Sequence, residues 1–134
     1  MSLDQVTEVT LDTLLSQVAL KLQQGCRFVT TTCLDTGDGH DLLYHFDKAY
    51  QLSNLRLRVP AGQVVSSISG LCFAALLVEN EIKDLFGLSF SGLAIDFQGR
   101  LLLTADAPKA PLSKSYGIGV EVVKQAQPGK GTPA

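Results

Sequence analysis

Apolar residues in this chain recur at helical spacing, alternate along strands, or crowd a segment nearly all round, and each pattern predicts an element. Leu11, Leu14, Leu15, Val18 and Leu22 fall at helical spacing behind Thr10, a residue suited to cap a helix N-terminus. Gly25 follows at a position where a left-handed residue closes a helix. A first amphipathic helix is predicted over about 11–24, with Lys21, Gln23 and Gln24 toward water. Residues 26–34, rich in Phe, Val and Thr, predict a strand. The cluster Asp35-Thr36-Gly37-Asp38-Gly39-His40 predicts a turn, and 41–47 a returning strand. From 52 to 59 the alternation is clean: Leu55, Leu57 and Val59 on one face, Asn54, Arg56 and Arg58 on the other. That pattern predicts a half-buried strand in an antiparallel arrangement, ended by Pro60-Ala61-Gly62.

A second helix is predicted over about 66–86, with Ile68, Leu71, Cys72, Ala75, Val78, Ile82 and Leu85 as its core stripe. Phe73, Leu76 and Leu77 make its first half apolar nearly all round, so that half requires cover on more than one side. In so small a domain another protein is one source of that second cover. Glu79 and Lys83 stand at i,i+4 and are expected to pair. A short strand is predicted over 88–90. A polar bend and the apolar run 101–104 follow. Residues 105–116, with Pro108 and Pro111, predict an extended arm, and 126–134 a disordered tail. The whole predicts one α+β domain over 1–125: a mixed, largely antiparallel sheet packed by two main helices in two layers, with a C-terminal arm from about 105.

At 134 residues and 46% apolar, the chain is expected to build its own core. A net charge of −2 without a basic cluster points away from nucleic acid. The three cysteines, Cys26, Cys33 and Cys72, form no disulfide framework and suit a reducing cytoplasm. The N-terminal residues resemble no secretory signal. The longest apolar run falls far short of the ~20 residues that span a bilayer.

Several constellations hint at chemistry and fail on spacing. Asp35, Asp38 and Asp41 suggest a calcium loop, but the third and twelfth positions counted from Asp35 hold Gly37 and Phe46, where oxygen ligands are needed. His40 and His45 with Cys26 and Cys33 match no compact zinc pattern, and residues five apart on a strand face opposite ways. The run 87–92 carries its second glycine one residue late for a nucleophile elbow. Gly117-Ile118-Gly119 lacks the rest of a dinucleotide fingerprint. No cysteine spacing suits an iron–sulfur cluster. Glu79, Glu81 and Asp84 are the one carboxylate group on a helix. Glu81 and Asp84 share a face and Glu79 lies off it, which gives either a solvated acidic face or a docking edge for a basic partner.

The most informative stretch is 79–92: Glu79-Asn80-Glu81-Ile82-Lys83-Asp84-Leu85-Phe86-Gly87-Leu88-Ser89-Phe90-Ser91-Gly92. It resembles the 30-kilodalton subunit family of respiratory complex I, including the small homologous subunit of energy-converting (Ech-type) NiFe hydrogenases. In that family a strand ending Val-Pro leads to a helix that closes like Glu-Arg-Glu-Val-Tyr-Asp-Met-Phe-Gly-Ile-x-Phe-x-Gly-His-Pro. Here Val59-Pro60 opens the segment, and Glu79, Glu81, Asp84, Phe86, Gly87, Phe90 and Gly92 stand at matching positions. Pro111-Leu112 with Lys114 and Tyr116 is a degraded counterpart of the family's Pro-Leu-Arg-Lys-Asp-Phe. Leu93-Ala94 replaces its His-Pro, and Ser113 its arginine.

The resemblance implies a non-catalytic subunit, without a cofactor or metal of its own. It implies a place at the cytoplasmic side of a membrane complex, between a NiFe-hydrogenase-like large subunit and an iron–sulfur small subunit. The divergence and short length suit the hydrogenase-associated type. Partner contacts are expected from Glu79, Glu81, Asp84, Phe86, Gly87 and Phe90: the phenylalanines as packing anchors, Gly87 as helix stop, the acids as polar contacts. In isolation such a subunit is expected to be able to dimerise. The alternative is a free-standing α+β domain, binding or converting a small molecule in a pocket between helix and sheet lined by His45 or a cysteine.

Overall fold

A computed structural model describes residues 5–98 and 110–112. The expectations for 101–104, for most of the arm and for 126–134 lie outside them. The chain runs β1 (Val6–Val9), α1 (Leu14–Gln23), β2 (Arg27–Asp35), β3 (Gly39–Lys48), β4 (Gln51–Pro60) and β5 (Val64–Ser66). A 3-10 turn at Phe73–Ala75, α2 (Leu76–Phe86) and β6 (Ser89–Ser91) follow. The main sheet has the order β1-β4-β3-β2, with β2, β3 and β4 antiparallel and β1 parallel to β4. β5 and β6 form a small parallel pair, with α2 between them in the chain. The architecture is the expected α+β one, a mixed sheet with two helices.

The alternation in β4 sorts the sheet's two faces. Leu55, Leu57 and Val59 are fully buried, opposite Tyr44, Leu42 and His40 of β3. With Phe46, and with Leu14 and Val18 of α1 and Ala75 and Ile82 beside and on α2, they form one core, so both helices cover the same face. The other face is ionic. Asp41 accepts from Arg56 at 2.8 Å and from Arg58 at 3.4 Å, and Arg58 also reaches Asp38 at 2.8 Å. The turn cluster behaves as its composition dictates. Asp35 accepts the N–H of Gly37 at 2.8 Å, Gly37 is left-handed, and Gly39 lies so close to Val59 that a Cβ there would stand 2.3 Å from its carbonyl oxygen. The calcium-like aspartates are therefore turn and ion-pair residues.

Three predictions need correction. β1 was not expected; it is short, and its pairing with β4 is remote in sequence. α1 starts at Leu14, although Thr10 does begin the turn: its carbonyl accepts from Leu14 and its hydroxyl from the Thr13 N–H. The second helix starts at Leu76, ten residues later than predicted. Residues 64–66 are a strand, and Ile68 is buried from a turn rather than from a helix. Ser66, Ser67, Ser69 and Gly70 are poor helix formers, and the apolar crowding around them belongs to a loop folded over the core.

Candidate partner-binding site

α2 carries the acidic stretch. It ends as its sequence predicts: Gly87 is left-handed at φ 76°, and its N–H donates to the Lys83 carbonyl at 3.0 Å. The chain returns to this end at 110–112. The Leu112 N–H donates to the Leu85 carbonyl at 2.7 Å, and a Cβ at Gly87 would stand 3.0 Å from that of Ala110. Gly87 is thus required twice, by its backbone angle and by the returning segment.

The acids do not form a solvated face. Glu79 is fully buried and Asp84 nearly so, while Glu81 is exposed. Glu79 accepts from Ser67 Oγ at 2.5 Å with one oxygen and from the Ile68 N–H at 2.9 Å with the other. Ser67 Oγ accepts the Ser69 N–H at 3.0 Å, and Ser69 Oγ accepts the N–H of Ala94 at 3.0 Å. A carboxylate on the helix therefore organises the 67–69 turn, and through it the chain after β6. Burial pushes the Glu79 carboxyl pKa upward, against the opposing pull of Ser67 and the Ile68 and Ser69 N–H groups. The expected Glu79–Lys83 pair does not form. Lys83 grips both oxygens of Asp96 at 2.7 Å, and this pair holds the Asp96 carboxyl low.

Asn80, which sequence reasoning passed over, does comparable work. It is fully buried; its amide nitrogen donates to the carbonyls of Leu76 at 3.0 Å and Ile95 at 2.9 Å, and its oxygen accepts the Phe97 N–H at 3.0 Å. The available signal was an asparagine inside a helix, where it is disfavoured unless its side chain has a task.

Phe86 and Phe90 are half-buried against the core. Phe86 meets the His40 ring edge-on, with centroids 6.2 Å apart. His40 lies in β3 rather than in the turn, on the helix-covered face, with Nε2 3.8 Å from Asp35. His45 is on the opposite face, held by Thr32 at 2.8 Å and Asn54 at 2.6 Å. A pocket between helix and sheet therefore cannot be lined by His45. Cys33 does face the core, where burial and then Asp35 and Asp41 push its thiol up to about 12. Tyr44 lies fully buried near Glu79, and burial followed by that charge drives its phenol upward. Among the described residues no group of three or more His, Cys, Asp or Glu side chains is placed to hold a metal. Both Glu79 oxygens are committed to the 67–69 turn, so this carboxylate has a structural task.

Besides Glu81, α2 and its approach present an apolar side outward. Leu71, Phe73 and Leu77 are 45%, 64% and 59% exposed, with Phe73 and Leu77 one helical turn apart. Ile95 and Phe97, tethered beside α2 by Asn80, are also exposed. This is the second side for which the sequence demanded cover.

Comparison with known proteins places these features in a family. A chain in the structure of the membrane-bound sulfane sulfur reductase, an archaeal respiratory membrane complex, superposes with a TM-score of 0.70 over 91% of this chain and 76% of that one. At 18% identity this likeness is one of fold. An NADH-quinone oxidoreductase subunit of Dinoroseobacter shibae is 34% identical over 99 residues, 66% of this chain and 46% of the relative. Its counterpart in a Jannaschia species is 34% identical over 105 residues, 72% of this chain and 50% of the relative. The chain thus spans about half the length of the curated relatives it matches. The profile of one family, described as the respiratory-chain NADH dehydrogenase 30 Kd subunit, matches residues 7–122, which carry the sheet, the buried Glu79 and the Gly87 helix stop, and the chain belongs to that family.

Proposed function

We propose that this chain is a non-catalytic assembly subunit of a complex I-like, membrane-associated oxidoreductase. The observation that carries the reading is the uncovered apolar side of α2 and its approach, Leu71, Phe73 and Leu77, in a member of this family. An exposed patch of large apolar residues on a small domain marks a place where another protein sits. The surrounding polar groups support it: Glu79 and Asn80 fix the turn and the loop that flank the patch, so it is displayed on a rigid frame.

The partners we infer are a NiFe-hydrogenase-like large subunit and an iron–sulfur small subunit, in an energy-converting hydrogenase or a quinone-reducing relative. In this proposal the chain attaches peripherally, on the cytoplasmic face of the cell membrane. Among the described residues no helix is long and apolar enough to cross a membrane. The role of the acidic stretch is divided. Glu81 is exposed and available to a basic partner group. Glu79 acts from inside through the 67–69 turn and Asp84 is buried on the same helix, while Phe86, Gly87 and Phe90 hold the helix end against the core.

A tagged pull-down from detergent-solubilised native membranes, with co-purifying chains identified by mass, tests the proposal. Recovery of a large-subunit homologue and an iron–sulfur protein is the expected result. Recovery of this chain alone, from the soluble fraction, would overturn it. Leu77→Glu, a charge at a mostly exposed position of the patch, is expected to abolish co-purification while leaving the fold intact.

A further inference from the structure

The β3–β4 hairpin turns through Ala49 and Tyr50, between the paired residues Lys48 and Gln51. Both turn residues are left-handed, with φ 54° and 66°. A two-residue hairpin loop of this kind demands positive φ at both positions, and Asn-Gly is the sequence that meets the demand without strain. Alanine and tyrosine resist it, because each carries a Cβ that crowds the backbone. Tyr50 is also 94% exposed, so its ring gains almost no packing within the chain. A large aromatic held outward on strained backbone is unfavourable for the isolated domain, and such strain concentrates where a chain meets something else.

The surroundings are basic. Arg27 begins β2 opposite Asp47 and binds it at 3.1 Å, while remaining 75% exposed. Gly25, which closes α1, sits against the stem of Lys48, and Lys21 lies in the last turn of that helix. In the described segments that meet at this end, 20–28 and 46–52, three cations stand against one carboxylate, which Arg27 already engages.

We propose that the Ala49–Tyr50 turn is a docking knob, with Tyr50 entering an apolar slot rimmed by carboxylates on a partner protein. The inference rests on the assembly reading above and adds to it a second contact, carried by the hairpin rather than by α2. Tyrosine and arginine are the residues that most often anchor such contacts, and a pre-formed turn loses little entropy on docking. A protein fits better than a lipid surface. The ring is flanked by Ala49 and Gln51, too little apolar area to insert, whereas one rigid ring suits a single slot.

The test replaces Tyr50 with photoreactive benzoylphenylalanine in the full chain and irradiates the solubilised native complex. The expected crosslinks fall on one partner protein, within a few residues of an Asp or Glu. Tyr50→Gly, whose glycine relaxes the turn and so leaves the domain folded, is expected to weaken retention in the complex about tenfold or more. Lys48→Glu is expected to weaken it too and to flatten its salt dependence. Crosslinks to lipid overturn the proposal in favour of a membrane contact. Absence of crosslinks, with Tyr50→Gly retained as fully as the wild type in an intact complex, overturns the hairpin assignment alone. A wild-type chain that brings down no partner refutes the assembly reading itself, and the slot with it.

Discussion

Glu79 offers the sharpest test of how this fold is held. Its carboxylate is fully buried and accepts from Ser67 Oγ and the Ile68 N–H. Glu79→Ala strands that N–H away from water, at about 1–3 kcal/mol, and removes one buried methylene, about 0.8 kcal/mol. Ser67 Oγ keeps Ser69 as a partner, so no second polar group is orphaned. Losing a buried charge offsets part of the cost, and the expected net loss is about 2 kcal/mol. Glu79→Gln keeps the shape; its carbonyl accepts from Ile68 and its amide donates to Ser67, so the change is expected to stay within about 1 kcal/mol. The two variants also separate charge from geometry through pH. Burial raises the Glu79 pKa in the folded chain, so between that value and the ordinary one the folded state holds more protons than the unfolded. Glu79's contribution is then fully present below its ordinary pKa and is lost as pH rises through the raised one. Relative to Glu79→Gln, the wild type should gain stability as pH falls from neutrality toward the ordinary glutamate range. Urea unfolding followed by far-ultraviolet circular dichroism measures both effects. An alanine variant within about 0.5 kcal/mol of the wild type would refute the latch, since a stranded buried donor alone exceeds that. A wild-type-minus-glutamine difference that is flat, or that grows with pH, would refute the raised pKa.

Asn80→Ala removes both side-chain tethers to the 95–97 segment and is expected to cost about 2 kcal/mol and to speed proteolysis there; unchanged cleavage would show that Lys83–Asp96 suffices. Gly39→Ala forces a methyl against the Val59 carbonyl and is expected to destabilise by about 3 kcal/mol in the same unfolding assay; a neutral result would mean that the β3–β4 register gives way easily. In the native chain at mildly alkaline pH, iodoacetamide should modify Cys26 and Cys72, half-buried, far faster than Cys33, which is buried with its thiol pushed up to about 12. Peptide mass mapping reads this, and equal rates at all three would contradict the packing of β2.

The parts of the fold that the sequence disclosed are those whose cause is local. Alternation at Leu55, Leu57 and Val59, the turn glycines, and the left-handed stop at Gly87 follow from residues within a few positions of each other. β1 was hidden because Val6–Val9 becomes a strand only by pairing with 54–57, nearly fifty residues away. The start of α2 is ambiguous in the sequence because helical and all-round apolar patterns look alike over 66–75, although the serines and Gly70 argue against a helix. Glu79 was misplaced for a related reason. It stands three residues before Ile82 and four after Ala75, on the buried stripe, so its position was readable. What could not be read was its partner, a backbone turn eleven residues back that satisfies a charge the pattern sends inward.

That inward placement changes how variants in the acidic stretch must be interpreted. If Glu79 and Glu81 both touched a partner, removing either would weaken assembly and leave the free chain unchanged. Here the two positions differ in kind. Glu81 is exposed, so under the proposed assembly role its loss would bear on a partner directly, and isolated surface charges contribute little to stability. Glu79 reaches the outside only through the 67–69 turn, whose far side leads into Leu71 and Phe73. A Glu79 variant that fails to assemble therefore reports a displaced apolar patch, and its free chain must also be less stable. A Leu77 variant that fails to assemble reports the patch itself, and its free chain must not be. Assembly measured beside stability, variant by variant, separates a contact from the frame that displays it.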